Sequence, residues 1–372
     1  MTQKSPQSPG ASAAYNRVME RVRVGEAQVK SVVNLARTMV IKNKLVGASS
    51  VKFAAGSKGQ LVLLYPNDGQ QYSIHRNALN QLCAKVKFPM RYTSTLEGQG
   101  KPWATDLLGY NLEQLYQNIY EGKEERFLHR IVDSELRGFL SKKYNLHLAT
   151  SSMMEAFILS CSRSMAMPAE AVSTDVRFSL KAFLPYVYEP VPGEYIALGV
   201  EFCNSDFGKG VMSVGSFIWR VNSMGFIALD ESLSKVHLGR ILEETDIEIN
   251  TDTYQKEAEA VAAAIHNTVD ELLSIKTIER LLAVVSKAFS EQFPWPTIQK
   301  QLKNVLSTEE VKHVKSLLDD GGVIELPSSG GTAGESATSW WVASVLSRMA
   351  DKELNAERRL ELQAASGSFL RE

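Results

Sequence analysis

One stretch of the sequence places a cation inside a turn with unusual backbone freedom. Residues 202–210 read FCNSDFGKG, so two glycines flank Lys209 between two runs of residues that favour strands. Because glycine has no side chain, the backbone amides of such a turn can approach a phosphate closely. Neither the Walker pattern nor the Rossmann glycine pattern occurs in the chain. The stretch therefore predicts a turn that either contacts an anion or only joins two strands.

Further cations and a tryptophan recur on and around the neighbouring strands. A cation that shares a strand face with an aromatic ring can pair with a phosphate while a base stacks on the ring, as in proteins that bind unpaired nucleic acid. We assign nucleic-acid contacts to Arg177, Lys181, Lys209, Trp219, Arg220, Lys235, His237 and Arg240, with Trp219 as the stacking residue. The alternative is that these charges are solvated and that Trp219 belongs to the core.

No spacing in the sequence predicts a catalytic or metal site. The cysteines Cys83, Cys161 and Cys203 lack a C-x-x-C pair, so we interpret them as reduced core thiols. The six histidines form no zinc motif, and Ser205 beside Asp206 is not part of a G-x-S-x-G elbow. A cluster of carboxylates is interpreted as a solvated acidic linker: Glu243, Glu244, Asp246 and Glu248. We expect no catalytic residues, no metal and no cofactor.

Charge is unevenly distributed along the chain. The 372 residues carry a formal net charge of -1, yet residues 1–60 hold ten Lys and Arg against two Glu, a balance of +8 that leaves -9 for the remainder. The first residues are polar and show no signal-peptide pattern, and no apolar run approaches the roughly 18 residues that a membrane span needs. We therefore expect a cytoplasmic protein with no membrane partner and a basic N-terminal region.

The charged candidates must be positioned by a sheet. Residues 176–183 alternate between apolar and polar types, strictly up to Ala182, and further strand-favouring runs continue to residue 229 with turn residues between them. Short links favour antiparallel neighbours. Alternation places Arg177 and Lys181 on one face of the first strand, which we expect to be wet, while the other face packs on the core.

Helical spacing dominates on both sides of this sheet. A basic amphipathic helix is predicted at 15–44, either whole or broken near Gly25, and a long helix at 254–289 contains neither proline nor glycine. The shorter predicted segments are a hairpin of strands at 51–55 and 61–65, and helices at 77–86, 111–120, 126–137 and 308–318.

The predicted fold class is α+β, an antiparallel sheet of three to five strands followed by a long packed helix, with N- and C-terminal helical regions. The predicted division is a disordered leader (1–14), a basic helix with a small hairpin and a helical region (15–125), an α+β core (126–290), a helical extension (291–326), a linker (327–338) and a C-terminal helical region (339–372).

Three blocks of the sequence resemble an uncharacterised family of phage- and plasmid-encoded proteins with a domain of unknown function. The blocks are residues 137–144, residues 204–214, and residues 219–225 together with 236–240. The chain departs from the family at residues 222–225, where it has Asn-Ser-Met-Gly and the family has Cys-x-Asn-Gly, which argues against a metal or thiol role. The resemblance implies a gene of a mobile element.

By architecture alone, strands followed by a long helix resemble the core of single-strand annealing recombinases of the Red-beta and Erf kind. That analogy implies an oligomer that holds one strand extended and needs no cofactor. We therefore expect a non-enzymatic, homo-oligomeric protein that binds single-stranded DNA in recombination or replication, through an open basic groove. The alternatives are a host-interaction or regulatory protein of a phage and, third, a metal-dependent nuclease.

Overall fold

The computed structural model describes residues 9–47, 50–121, 123, 125–142, 149–222, 225–235, 251–319 and 336–370. In this part of the chain the molecule is a mixed α+β protein with mainly antiparallel sheets and with helices near both ends. The coarse α+β prediction is confirmed.

Eleven helices and fourteen strands make up the described residues. The helices are α1 (Pro9–Thr38), α2 (Arg76–Val86), α3 (Met90–Glu97), α4 (Pro102–Tyr120), α5 (Thr150–Arg163), α6 (Thr251–Leu272), α7 (Ile275–Ser290), α8 (Trp295–Leu302), α9 (Thr308–Asp319), α10 (Ser339–Lys352) and α11 (Ala356–Gly367). The strands are β1 (Ile41–Gly47), β2 (Lys52–Ala55), β3 (Leu61–Tyr65), β4 (Gln70–Ile74), β5 (Arg126–Val132), β6 (Glu135–Ser141), β7 (Met167–Ser173), β8 (Phe178–Phe183), β9 (Tyr188–Val191), β10 (Glu194–Asn204), β11 (Met212–Arg220), β12 (Phe226–Lys235), β13 (Gln292–Pro294) and β14 (Ser336–Thr338).

The first sheet, sheet A, has the strand order β1-β5-β6-β4-β3-β2 and is antiparallel except between β4 and β6. The hairpin predicted from the GSKG turn is confirmed as β2 and β3, in which Phe53 lies opposite Leu63. Helices α2 and α4 bury Leu82 and Leu112 in the same core as these strands. The strands on both sides of residue 126, where the predicted domain division falls, therefore share one sheet and one core.

The second sheet, sheet B, has the order β12-β11-β10-β8-β7, and β9 pairs with the start of β10. On one face, Val200 and Phe202 pack with Phe157 of α5 and Ile265 of α6. On the other face, Trp219 packs with Val18 and other apolar residues of α1. Every residue of β8 and β11 is consequently buried, so sheet B has no wet face along these strands.

Helix α1 is continuous through Gly25, so of the two alternatives for this helix the unbroken one is observed. Gly25 instead allows close contact with β7, because a Cβ atom at this position would lie 2.7 Å from the Pro168 carbonyl oxygen. The helix begins at Pro9, so residues 9–14 of the predicted disordered leader are helical. It ends at Thr38, and the chain then extends into β1, where the helix had been expected to continue.

Two further predictions are corrected by the strand and helix bounds. Residues 126–137, predicted as a helix, form β5 and the start of β6. The prediction was wrong because β5 is buried on both faces, so its sequence lacks the alternation of polar and apolar residues typical of a strand. The long helix predicted at 254–289 is divided into α6 and α7, since the Ser274 hydroxyl accepts from the Thr277 amide and begins a new helix. The later helices α8 to α11 enclose their own core around Trp341.

Candidate functional site

Three of the residues predicted to contact nucleic acid lie in the interior. Lys181 is 1% exposed, and Trp219 and Arg220 are 0% exposed. Trp219 stacks on Phe183, with ring centroids 5.6 Å apart, and so belongs to the core under α1. The expectation that these side chains line an open groove is wrong, because helices cover both faces of sheet B.

Lys181 is the centre of a buried ionic network. Its Nζ lies 3.1 Å from Glu170 Oε2 on β7 and 3.0 Å from Glu201 Oε1 on β10. Arg21 of α1 adds a second cation, with Nη2 2.8 Å from Glu170 Oε1. The Ser179 hydroxyl donates to Glu201 Oε1 at 2.5 Å. The network therefore joins three strands to the helix that covers them.

The charges of this network hold one another in the ionised form. Burial disfavours all three charged groups, but the opposite charges outweigh it, so the pKa of Lys181 is raised and the pKa values of Glu170 and Glu201 are lowered. Burial, reinforced by the negative charge of Glu201, raises the pKa of the Cys203 thiol to about 12. Cys203 is thus a protonated core thiol, and all three cysteines are free and buried as predicted.

Arg220 forms a separate buried ion pair on the opposite face of sheet B. Its Nε and Nη2 donate to the two carboxylate oxygens of Glu194 at 2.7 and 3.1 Å. The guanidinium carbon also lies 5.3 Å from the centre of the Trp340 ring on α10. The Arg220 Nη1 atom has no hydrogen-bond partner but is buried. This bidentate pair therefore presents no exposed donor to a phosphate, and its contribution is to fix α10 on the sheet.

Of the remaining predicted contacts, Arg177 lies beside Glu201 of the Lys181 network. Arg177 is half-buried, and its pKa is raised: burial opposes this change, while the neighbouring Cys203 and Glu201 favour the charged guanidinium. Lys209 is half-buried in the turn after β10. Lys235 ends β12, and His237 and Arg240 lie outside the described residues.

The turn at residues 204–210 joins the two sheets. Its Phe207 carbonyl accepts hydrogen bonds from the side-chain amides of Asn77 and Gln81 on α2, both at 2.8 Å. The Phe207 and Lys209 amides donate to the Ser205 hydroxyl, at 3.1 and 2.9 Å. Two of the amides proposed to contact an anion therefore have a partner within the turn, which favours the structural interpretation of this stretch.

Near this junction, a cleft of about 720 Å³ opens between the end of α1, the β5–β6 turn and the start of α11. Its lining has mixed charge, including Arg137, Asp175 and His75. Arg137 Nη1 donates to the Asp175 carbonyl at 3.0 Å, and His75 Nε2 lies 3.7 Å from the Asp175 carboxylate. Because the polar groups largely satisfy one another, the lining indicates no particular class of ligand.

Exposed cations occur instead on the outer side of α1. Arg23, Lys30 and Arg37 are spaced seven residues apart, just under two turns, and all three are exposed. We call these three residues the basic ridge. Arg23 pairs with Glu20 at 3.0 Å and Arg37 with Glu155 at 2.9 Å, in exposed ion pairs of the kind that contributes little free energy. Both cations can therefore exchange these partners for phosphates.

A second exposed feature lies on α4. This helix buries one stripe of residues, among them Leu108 and Leu112, yet it also exposes Trp103 (57%), Leu107 (37%) and Tyr110 (62%). These three residues follow a spacing of four and three, so they share one face of the helix. The sequence carries this signal as a second apolar stripe at helical spacing.

Comparison with known proteins gives no relative for the chain. No family model, no curated protein and no solved structure matches it. The resemblance to phage- and plasmid-encoded proteins stays a prediction.

The nuclease alternative depends on carboxylates that could hold a metal ion. The acidic cluster at 243–248 lies outside the described residues. Within the part of the chain that the structure describes, no group of three or more His, Cys, Asp or Glu residues is placed to hold a metal. None of the described helices combines the length and the apolar character that a membrane crossing requires.

Proposed function

We propose that the protein binds nucleic acid through the basic ridge of α1, with single-stranded DNA as the ligand expected from the architectural analogy. The observation that carries this proposal is the exposed stripe of Arg23, Lys30 and Arg37, which spans about 21 Å along the helix axis. The N-terminal segment is basic as a whole, since residues 9–47 contain seven Lys and Arg against two Glu, and both of these, Glu20 and Glu26, lie one helical turn from Arg23. A role in recombination or replication of a mobile element, through a homo-oligomer, belongs to the same proposal.

Phosphate contacts by three side chains have a defined salt dependence. For single strands, log K falls with log[salt] with a slope of about -0.7 per contact, so three contacts give a slope of about -2. We expect the affinity for a fluorescent oligonucleotide to fall roughly 20-fold between 50 and 200 mM salt. The measurement is fluorescence anisotropy at several salt concentrations.

The variant that tests the ridge is Arg23→Gln, Lys30→Gln, Arg37→Gln. We expect it to lose most of the affinity at 50 mM salt and to show a slope close to zero. A matched control removes three exposed lysines from the C-terminal half, in Lys276→Gln, Lys287→Gln, Lys303→Gln. The proposal is overturned if the wild-type protein binds no oligonucleotide, if salt leaves its affinity unchanged, or if the control loses as much affinity as the ridge variant.

A further inference from the structure

The exposed stripe of α4 contains rings suited to a specific kind of contact. Trp103 and Tyr110 are seven residues apart, so their backbones are separated by about 10 Å along the helix, with Leu107 between them. Single exposed apolar residues are normal on a protein surface, whereas a line of them on one helix face is typical of an interaction site. We propose that Trp103 and Tyr110 form a stacking platform for unpaired bases of single-stranded nucleic acid, an inference that rests on the proposed function.

The size of the stripe argues against a protein partner. With a side-chain area of about 150–250 Å² for each ring, the exposed fractions give roughly 300 Å² of apolar surface for the three residues. A stable protein interface buries about 800 Å² on each partner. A row of stacked bases needs only a line of rings, because every base offers a π face.

The charges beside the stripe are compatible with a polyanion. Lys101 immediately precedes α4 and is exposed, and exposed Lys58 lies in the turn whose Gly59 carbonyl accepts from the Thr105 hydroxyl at 2.7 Å. Of the nearby acids, Glu113 accepts from the Phe53 amide at 3.2 Å, which directs it toward the edge of sheet A. Asp106 is the exposed acid within the stripe.

The platform gives predictions that differ from those of the ridge. Base stacking on one aromatic side chain contributes about 1–3 kcal/mol, so losing both rings of the platform lowers the affinity at least about 30-fold. We expect Trp103→Ala, Tyr110→Ala to show this loss for an oligothymidylate, with the salt slope unchanged. An abasic backbone of the same length lacks rings, so we expect the variant and the wild type to bind it equally.

The control variant is Trp103→Phe, Tyr110→Phe, which keeps a ring at both positions and is expected to retain most of the affinity. All variants are checked by circular dichroism and by light scattering after gel filtration. If no wild-type binding is seen, the proposed function itself fails. If the ridge variant loses binding while the alanine variant binds like wild type, the ridge stands and the platform is overturned. The platform is also overturned if the wild-type protein binds the abasic backbone as tightly as the oligothymidylate. A change in the oligomeric state of the alanine variant with unchanged oligonucleotide binding overturns it too, and indicates that a second copy of the chain packs on α4.

Discussion

At the scale of single residues, the network around Lys181 shows why a charged residue on a strand is an ambiguous signal. The side chain lies between two carboxylates and is fully enclosed. Removing one partner of a buried ion pair leaves an uncompensated charge in a medium of low polarity. We therefore interpret Lys181 as a structural residue that orients β7, β8 and β10.

The first prediction is that Lys181→Met lowers the free energy of unfolding by about 3–5 kcal/mol, because Glu201 and Glu170 lose the Lys181 charge and only Glu170 keeps an ion pair, with Arg21. The measurement is urea denaturation at pH 7. Lys300→Met, at an exposed position of α8, serves as the control and is expected to change stability by less than about 0.5 kcal/mol. A loss below about 1 kcal/mol in Lys181→Met would show that the network contributes little.

The pH dependence separates charge from packing in the same experiment. Because folding lowers the pKa values of Glu170 and Glu201, their ionised carboxylates stabilise the fold fully above the ordinary pKa of 4.5. This contribution is lost as the pH falls below 4.5 and through the pKa values of the folded state. The raised pKa of Lys181 stabilises the fold below pH 10.5 and is lost above it. We expect the triple variant Lys181→Met, Glu170→Gln, Glu201→Gln to recover part of the stability and to respond less to pH in both windows.

At the scale of secondary structure, α1 depends on the absence of a side chain at Gly25. In an exposed helix, replacing glycine by alanine stabilises by about 1 kcal/mol. A Cβ atom here would lie 2.7 Å from backbone atoms of both Pro168 and Ala169, which cannot move without shifting β7. We expect Gly25→Ala to destabilise the protein by about 1–3 kcal/mol, against the helix propensity.

Thermal denaturation followed by circular dichroism measures this effect. The matched control is Ser31→Ala, an exposed position on the same helix, for which a small gain is expected. If Gly25→Ala is as stable as the control, the contact between α1 and β7 is looser than the structure indicates.

How well an element could be predicted from the sequence depended on how many of its faces are covered by other elements. The hairpin of β2 and β3 and the strands β8, β10 and β11 were predicted from residue type, alternation and turns. Strand β5 was mistaken for a helix because it is buried on both faces, so its apolar residues no longer alternate. The prediction of a wet face on β8 was wrong for a related reason: the sequence of a strand does not show that a helix about 150 residues earlier covers it.

At the scale of the whole molecule, the turn at 204–210 couples sheet A to sheet B. Besides the contacts of Phe207 with α2, the Gln81 side-chain oxygen accepts from the Phe139 amide of β6 at 2.7 Å. We expect Asn77→Ala, Gln81→Ala to lower the free energy of unfolding by about 2–4 kcal/mol, because buried backbone groups lose their partners. Amide hydrogen exchange is expected to show lower protection in both sheets together.

The control for this coupling removes two exposed amides, in Asn34→Ala, Gln71→Ala, and is expected to leave protection nearly unchanged. If the junction variant loses protection in sheet A alone, the two sheets unfold independently. The glycines and the lysine of this turn are visible in the sequence, but its role as a junction depends on α2, which lies about 130 residues earlier in the chain. No local pattern contains that information.

The surface on which α1 packs is completed late in synthesis. Sheet A is complete once residues 41–141 have been made, whereas the valines of α1 pack with side chains as far along the chain as Phe226. At about 5–20 residues per second, the interval between translation of Thr38 and of Phe226 is roughly 10 to 40 s. Until the last of these side chains has been made, the nascent chain carries a 30-residue helical segment whose docking surface is incomplete. A ribosome-associated chaperone that shields apolar helices would therefore have α1 as a substrate during this interval.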